Sequence, residues 1–154
     1  MGLCRTSLTI RNTLADVERA AAWLHAFAQN ALIPPNVTSE LQVVLDEVLT
    51  NIMNHGLSGA AAGEREIRLV VRRLQGGVQL ETSDDGPAFD PTRAKALSMR
   101  NRIAKRRVGG VGLLFVRALV DDLRYERIGG RNQLIMTKRL PAAGDPNGGC
   151  DGNS

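Results

Sequence analysis

Five apolar side chains, Leu41, Val44, Leu45, Val48 and Ile52, recur at spacings of three and four along one stretch. That spacing gathers them on one side of a helix and leaves the other side polar. Such a helix must lay its apolar stripe on something flat, and the chain supplies it. Glu66 to Arg73 and Val78 to Ser83 read as strands divided by the hairpin signal Gln75-Gly76-Gly77. Leu123 to Arg127 and Gln133 to Lys138 read as a second pair, divided by Gly129-Gly130. Upstream, Ser7 to Ile10 alternates as a first strand. Asp16 is the expected cap of a helix that runs to about Asn30, with Ala20, Trp23, Leu24 and Phe27 on one face. Pro34-Pro35 breaks the chain, and Ser39 with Gln42 forms a capping box expected to open the striped helix, which ends at Gly56. A last helix is expected from Gly112 to about Asp121. The order β, α, α, β, β, α, β, β predicts an α+β fold, a two-layer α/β sandwich with a mainly antiparallel mixed sheet and helices on one face.

A chain of 154 residues suits one domain with a real core, expected over residues 1–140. Pro141 to Ser154, rich in Gly, Pro, Asn and Asp, reads as a disordered tail. Aromatic residues are 3 % of the total, so the core must come from Leu, Val, Ile and Ala. No apolar run approaches the length that spans a bilayer. Met1-Gly2-Leu3-Cys4-Arg5-Thr6 fits a myristoylation pattern, but a plain cytosolic start, and a cytoplasmic protein, is the expectation. Cys4 and Cys150 lie near opposite ends and make neither a disulfide framework nor a metal cluster.

The formal charge of +4 is not spread along the chain. Arg93, Lys95, Arg100, Arg102, Lys105, Arg106 and Arg107 fall within one short segment that holds no acid, so the rest of the chain is net acidic. A patch this local serves a phosphate ligand as well as a polyanion.

Three polar blocks stand in order on these elements. On the striped helix Glu47 and Asn51 are one turn apart and point the same way. The Asn51 carbonyl suits a magnesium ion, which takes only one or two protein oxygens and keeps waters and phosphate oxygens. Glu47 lies within reach to orient an attacking hydroxyl or water. Asp84-Asp85-Gly86 follows a strand, where a buried Asp84 can accept from an adenine amino group while Gly86 lets the base approach the backbone. Gly109-Gly110-Val111-Gly112 opens a helix whose free amides favour phosphate, with the basic segment before it as a lid. Alone, each block is also ordinary surface, turn or hinge chemistry. Neither a P-loop nor a Rossmann glycine pattern is present.

In this order the blocks resemble the N, G1 and G2 boxes of the GHKL ATPase superfamily, whose Bergerat ATP-binding fold is a histidine-kinase-like ATPase domain. The resemblance is nearer to the small bacterial branch of anti-sigma-factor serine/threonine kinases. It is carried by Glu47 to Gly56, Asp84 to Pro91, Gly110 to Arg117, Asp121 to Arg127 and Leu134 to Lys138, and spans roughly Ser7 to Leu140.

The resemblance implies Glu47 as general base, Asn51 as magnesium ligand, and Asp84 as adenine acceptor with Gly86 and Thr137 near the base. It also implies Gly110 and Gly112 beside the phosphates of ATP, under a lid containing Lys105, Arg106 and Arg107. The implied protein is a homodimeric kinase that phosphorylates an anti-anti-sigma antagonist and binds a sigma factor, with no direct contact to nucleic acid or membrane. Ala88 stands where the second glycine of the G1 box is usual, and Arg107-Val108-Gly109 departs from the commoner kinase forms.

Overall fold

The structure, a computed structural model, describes residues 4–56, 59–92 and 112–142. The elements follow as β1 (Arg5–Arg11), α1 (Leu14–Asn30), α2 (Pro35–Asn51) continued by a π-helical turn (Ile52–Gly56), β2 (Glu66–Leu74), β3 (Gly77–Asp84), α3 (Gly112–Leu119), β4 (Asp122–Ile128) and β5 (Arg131–Arg139). The five strands form one sheet in the order β1-β2-β3-β5-β4. All four pairings are antiparallel, so the described sheet is not mixed as expected. β3 and β4 run the same way, joined by a connection that includes α3, and β5 lies between them antiparallel to both, so every hydrogen-bonded neighbour in the sheet is antiparallel.

Strand register arranges the side chains in rows across the sheet. Thr6, Val71, Leu80, Met136 and Leu123 pair in one row, and Leu8, Leu69, Thr82, Leu134 and Tyr125 in the next. A third row, Ile10, Ile67, Asp84, Asn132 and Arg127, begins apolar and turns polar after β2. These rows share the face that meets the helices, since Ile10, Ile67, Leu69, Val71, Leu80 and Met136 join one core with Leu24 and Phe27 of α1 and Leu41, Val44, Leu45 and Val48 of α2. The opposite face carries alternate residues such as Arg5, Arg68, Glu81, Arg124 and Thr137. The two-layer sandwich and its single helical face are as the periodicity predicts. No helix among the described residues is long and apolar enough to cross a membrane.

Helix starts differ from the expectation. Thr13, not Asp16, caps α1: its side chain accepts from the Asp16 N–H, while Asp16 reaches back to accept from the Arg11 N–H at 2.6 Å. Asp16 therefore sits in the first turn, where its charge complements the helix dipole. The second helix begins at Pro35, four residues before Ser39, with no side-chain cap. Proline is well suited to this first position, because its missing N–H is one a helix start leaves unpaired anyway. The Ser39 hydroxyl instead donates to the Pro35 carbonyl, and the Gln42 amide donates to the Ala21 carbonyl at 2.9 Å, tying α2 to α1.

At the end of α1 the Ile33 N–H bonds the Ala28 carbonyl at 2.9 Å and the Leu32 N–H bonds the Gln29 carbonyl at 3.2 Å, a Schellman closure. Leu32 takes the left-handed position, with φ of 55°, and is 85 % exposed. A branched side chain gains nothing there and crowds the backbone. Leu32→Gly is accordingly expected to raise stability by about 0.5–1 kcal/mol, read as a higher midpoint in urea with an unchanged slope.

The far ends of α2 and α3 are joined through the sheet. Lys138 of β5 donates to the Leu119 carbonyl at 2.6 Å, capping α3, and pairs with Glu40 of α2.

Candidate functional site

Where the third row turns polar, the sheet and α2 leave a cleft walled by Val48, Asn51, Ile52, Thr82, Asp84, Phe89, Pro91, Tyr125, Asn132 and Leu134. Its make-up, apolar side chains interrupted by a few placed polar groups, is that of small-molecule sites. The stripe that buries α2 delivers Val48 and Ile52 to one wall. Alternation along β3 and β5 delivers Thr82, Asp84, Asn132 and Leu134 to the other.

Asp84 is 5 % exposed, at the end of β3. Its Oδ1 accepts from the Gly86 N–H at 2.9 Å and from Asn132 Nδ2 at 3.1 Å. The first of these bonds is the Asx-turn expected of Asp-Asp-Gly-Pro. The turn and the site are thus one structure, and the turn fixes the carboxylate in the cleft wall. Asp84 Oδ2 has no protein donor among the described residues. Gly86, buried, stands behind Asp84 and does not line the cleft.

Asn51 is 7 % exposed, and its Oδ1 is buried without a hydrogen-bond partner. An orphaned carbonyl of this kind costs about 1–3 kcal/mol, which an apolar residue on the same stripe would not incur. It fits a hard cation in want of one protein oxygen. Among the described residues no group of three or more His, Cys, Asp or Glu side chains is placed to hold a metal. The remaining ligands of such a cation would come from water and the oxygens of a bound ligand, as magnesium prefers. Glu47, half-buried, stands one turn before Asn51 on α2 and does not line the cleft. The helix widens into its π-turn directly after Asn51, a distortion common at functional sites.

Glu47, Asn51, Asp84 and Gly86 therefore collect around one cleft. Thr137 does not. It lies five residues beyond Asn132 on β5, an odd number, so alternation turns it to the uncovered face, roughly 17 Å along the strand. There it pairs across the sheet with Gln79 and Asp122, and its hydroxyl accepts from Gln79 Nε2 at 3.4 Å. Gly112 is the first residue of α3. Lys105, Arg107 and Gly110, with Arg106 and the rest of the basic segment, lie outside the described residues, as do the myristoylation pattern's Met1, Gly2 and Leu3 and the tail beyond residue 142. The exit from the second block is fastened by Arg117 of α3, which donates to the Pro91 and Thr92 carbonyls.

Three residues at the site escape a reading of the sequence. Asn132, 7 % exposed, pairs with Asp84 across β3 and β5. Tyr125 donates to Asn132 Oδ1 at 2.5 Å and lines the cleft. Arg127 Nη1 donates to the same oxygen at 3.0 Å and to the Gly86 carbonyl at 2.8 Å. Pairing two hairpins across a long connection sets this register, and no short-range signal announces it.

The histidine kinase-like ATPase domain family matches residues 10–138 of the chain. The chain is 28 % identical over 131 residues to the serine/threonine-protein kinase BtrW of Bordetella bronchiseptica, covering 85 % of this chain and 91 % of that one. It is 25 % identical over 121 residues to the serine-protein kinase RsbW of Listeria monocytogenes, covering 76 % and 75 %. In structure it is similar to a chain of the SiaB-SiaC complex from Pseudomonas aeruginosa, with a TM-score of 0.66 at 13 % identity over 86 % of this chain and 88 % of that one. That last likeness is one of fold.

Proposed function

This chain belongs to the histidine kinase-like ATPase domain family, and on that premise we propose that it is an ATP- and magnesium-dependent serine/threonine protein kinase acting as an anti-sigma factor. Its protein substrate is an anti-anti-sigma antagonist, and its second partner a sigma factor, in a partner-switching circuit. We place it in the cytoplasm, as a homodimer. The observation that carries the reading is the buried, unpartnered Oδ1 of Asn51 in a cleft whose opposite wall presents Asp84.

In this reading the adenine amino group donates to Asp84 Oδ2, and Asn51 Oδ1 holds magnesium. The bound magnesium supplies charge neutralisation on the phosphate oxygens during transfer. Glu47 accepts the proton of the serine or threonine hydroxyl as its oxygen bonds to the γ-phosphorus and the bond to the β-γ bridging oxygen breaks. Position supports this role: Glu47 shares the helical stripe of Asn51 but stands outside the cleft wall, where a hydroxyl from a second protein has access. Gly112, opening α3, adds main-chain amides on the phosphate side. Of the lid residues read in the sequence, Lys105, Arg106 and Arg107 would meet the terminal phosphate, and Gly110 its neighbour.

The test is to incubate the protein with γ-labelled ATP, magnesium and an anti-anti-sigma antagonist protein. Transfer of label to a serine or threonine is the expected result. Tight ATP binding with no label on any partner would instead identify a nucleotide-binding anti-sigma module without phosphotransfer. That second reading turns on Glu47, whose place outside the cleft wall leaves binding independent of it.

A further inference from the structure

Asn132 has no hydrogen-bonding capacity left for a ligand, although it lines the cleft. Its Oδ1 accepts from the Phe89 N–H at 3.3 Å, from the Tyr125 hydroxyl at 2.5 Å and from Arg127 Nη1 at 3.0 Å. Its Nδ2 faces Asp84 Oδ1 at 3.1 Å, the Pro87 carbonyl at 2.9 Å and the Gly86 carbonyl at 3.4 Å. Donors stand on one side and acceptors on the other, so the amide cannot turn over without setting oxygen against oxygen and nitrogen against nitrogen. A side chain held this firmly, and spent wholly on protein partners, acts on the ligand through what it holds.

We infer that Asn132 is a positioning residue that decides which purine the cleft accepts, by locking the Asp84 carboxylate with Oδ1 turned away and Oδ2 turned to the base. The inference rests on the nucleotide reading of the cleft. With Oδ1 committed to the Gly86 N–H and to Asn132, the only free function of Asp84 is an acceptor. A 6-aminopurine meets it with a donor. A 6-oxopurine presents lone pairs at that position and carries its donor beside it on the ring, at N1–H, so a carboxylate held opposite the 6-substituent is left unpaired, the kind of mismatch that discriminates strongly. A carboxylate free to shift can instead reach the N1–H of a 6-oxopurine, and one that carries a proton can donate to its oxygen.

Titration calorimetry of ATP and of ITP, each with magnesium, tests this on the wild-type protein, Asn132→Asp and Arg127→Ala. Asn132→Asp keeps an acceptor for Phe89, Tyr125 and Arg127 but removes the donor to Asp84. Two adjoining carboxyl groups then share a proton or repel each other, and either outcome frees Asp84. The preference for ATP over ITP is expected to fall by about tenfold or more. Arg127→Ala loosens the Gly86 turn and removes one donor to Asn132, while the Phe89 N–H and the Tyr125 hydroxyl still hold the amide, so both nucleotides should weaken together with the preference unchanged. Asn132→Ser, which adds no charge, gives the same reading if the Asp variant does not fold. The inference is overturned if the preference is the same in Asn132→Asp as in the wild type, or if Arg127→Ala lowers it as far. A wild-type protein that binds neither nucleotide would instead sink the proposed function.

Discussion

Replacing Glu47 by Ala is expected to slow phosphate transfer to the antagonist by at least about 100-fold, the usual weight of a general base. Affinity for ATP should stay within about threefold of the wild type, because Glu47 stands outside the cleft wall. The paired measurement is single-turnover label transfer beside calorimetric binding. Equal losses in both would place Glu47 in nucleotide binding. Transfer at the wild-type rate would remove it from the mechanism. The half-buried setting of Glu47 on an amphipathic helix makes gross unfolding an unneeded explanation, since Ala is the best helix former.

Asn51→Leu should separate function from stability in the opposite sense. The residue is 7 % exposed, its Oδ1 lacks a partner, and Val48 and Ile52 flank it in the wall of the cleft. An apolar side chain of the same branched outline removes an unsatisfied buried group, and the nucleotide-free protein should gain about 1 kcal/mol. The same change deletes the proposed magnesium ligand. At a nucleotide concentration about a hundred times its dissociation constant, wild-type protein gains about 2.7 kcal/mol from a bound ligand, and the variant should gain almost none from magnesium and ATP. Thermal melts with and without the nucleotide read both effects. A variant that is less stable when empty, or that magnesium and ATP stabilise like the wild type, would contradict the assignment.

The strands were legible because alternation and paired glycines are local. Gly129 and Gly130 both take positive φ, at 58° and 75°, as a two-residue turn of this kind requires. Helix starts were less so. Pro34-Pro35 has two physical meanings, a break before a helix and a proline at its first turn, and only the packed structure decides between them. Thr13 and Asp16 are both good capping residues three apart, and the cap went to the first.

In the site, Asn51 and Asp84 could be found because each belongs to a short block with its own chemistry. Asn132 could not, because its meaning comes from pairing with Asp84, forty-eight positions away in sequence. Thr137 shows the same limit from the other side. A one-residue difference in parity moves a β residue from the cleft to the bare face, and a motif carried over by resemblance does not count residues against a register.

The alternating rows also bear on how such a protein can change over time. On every strand the neighbours of a cleft residue point away from it, so the sheet carries two nearly separate inheritances on one backbone. Substitutions at Arg68, Glu81, Gln133 or Arg124 remake what the uncovered face shows to the outside, while Thr82, Asp84, Asn132 and Leu134 keep the chemistry behind it. A saturation scan should therefore print along β3 and β5 as a barcode of tolerant and intolerant positions with a period of two. Lineages that exchange partners would drift in one set of bars and stand still in the other.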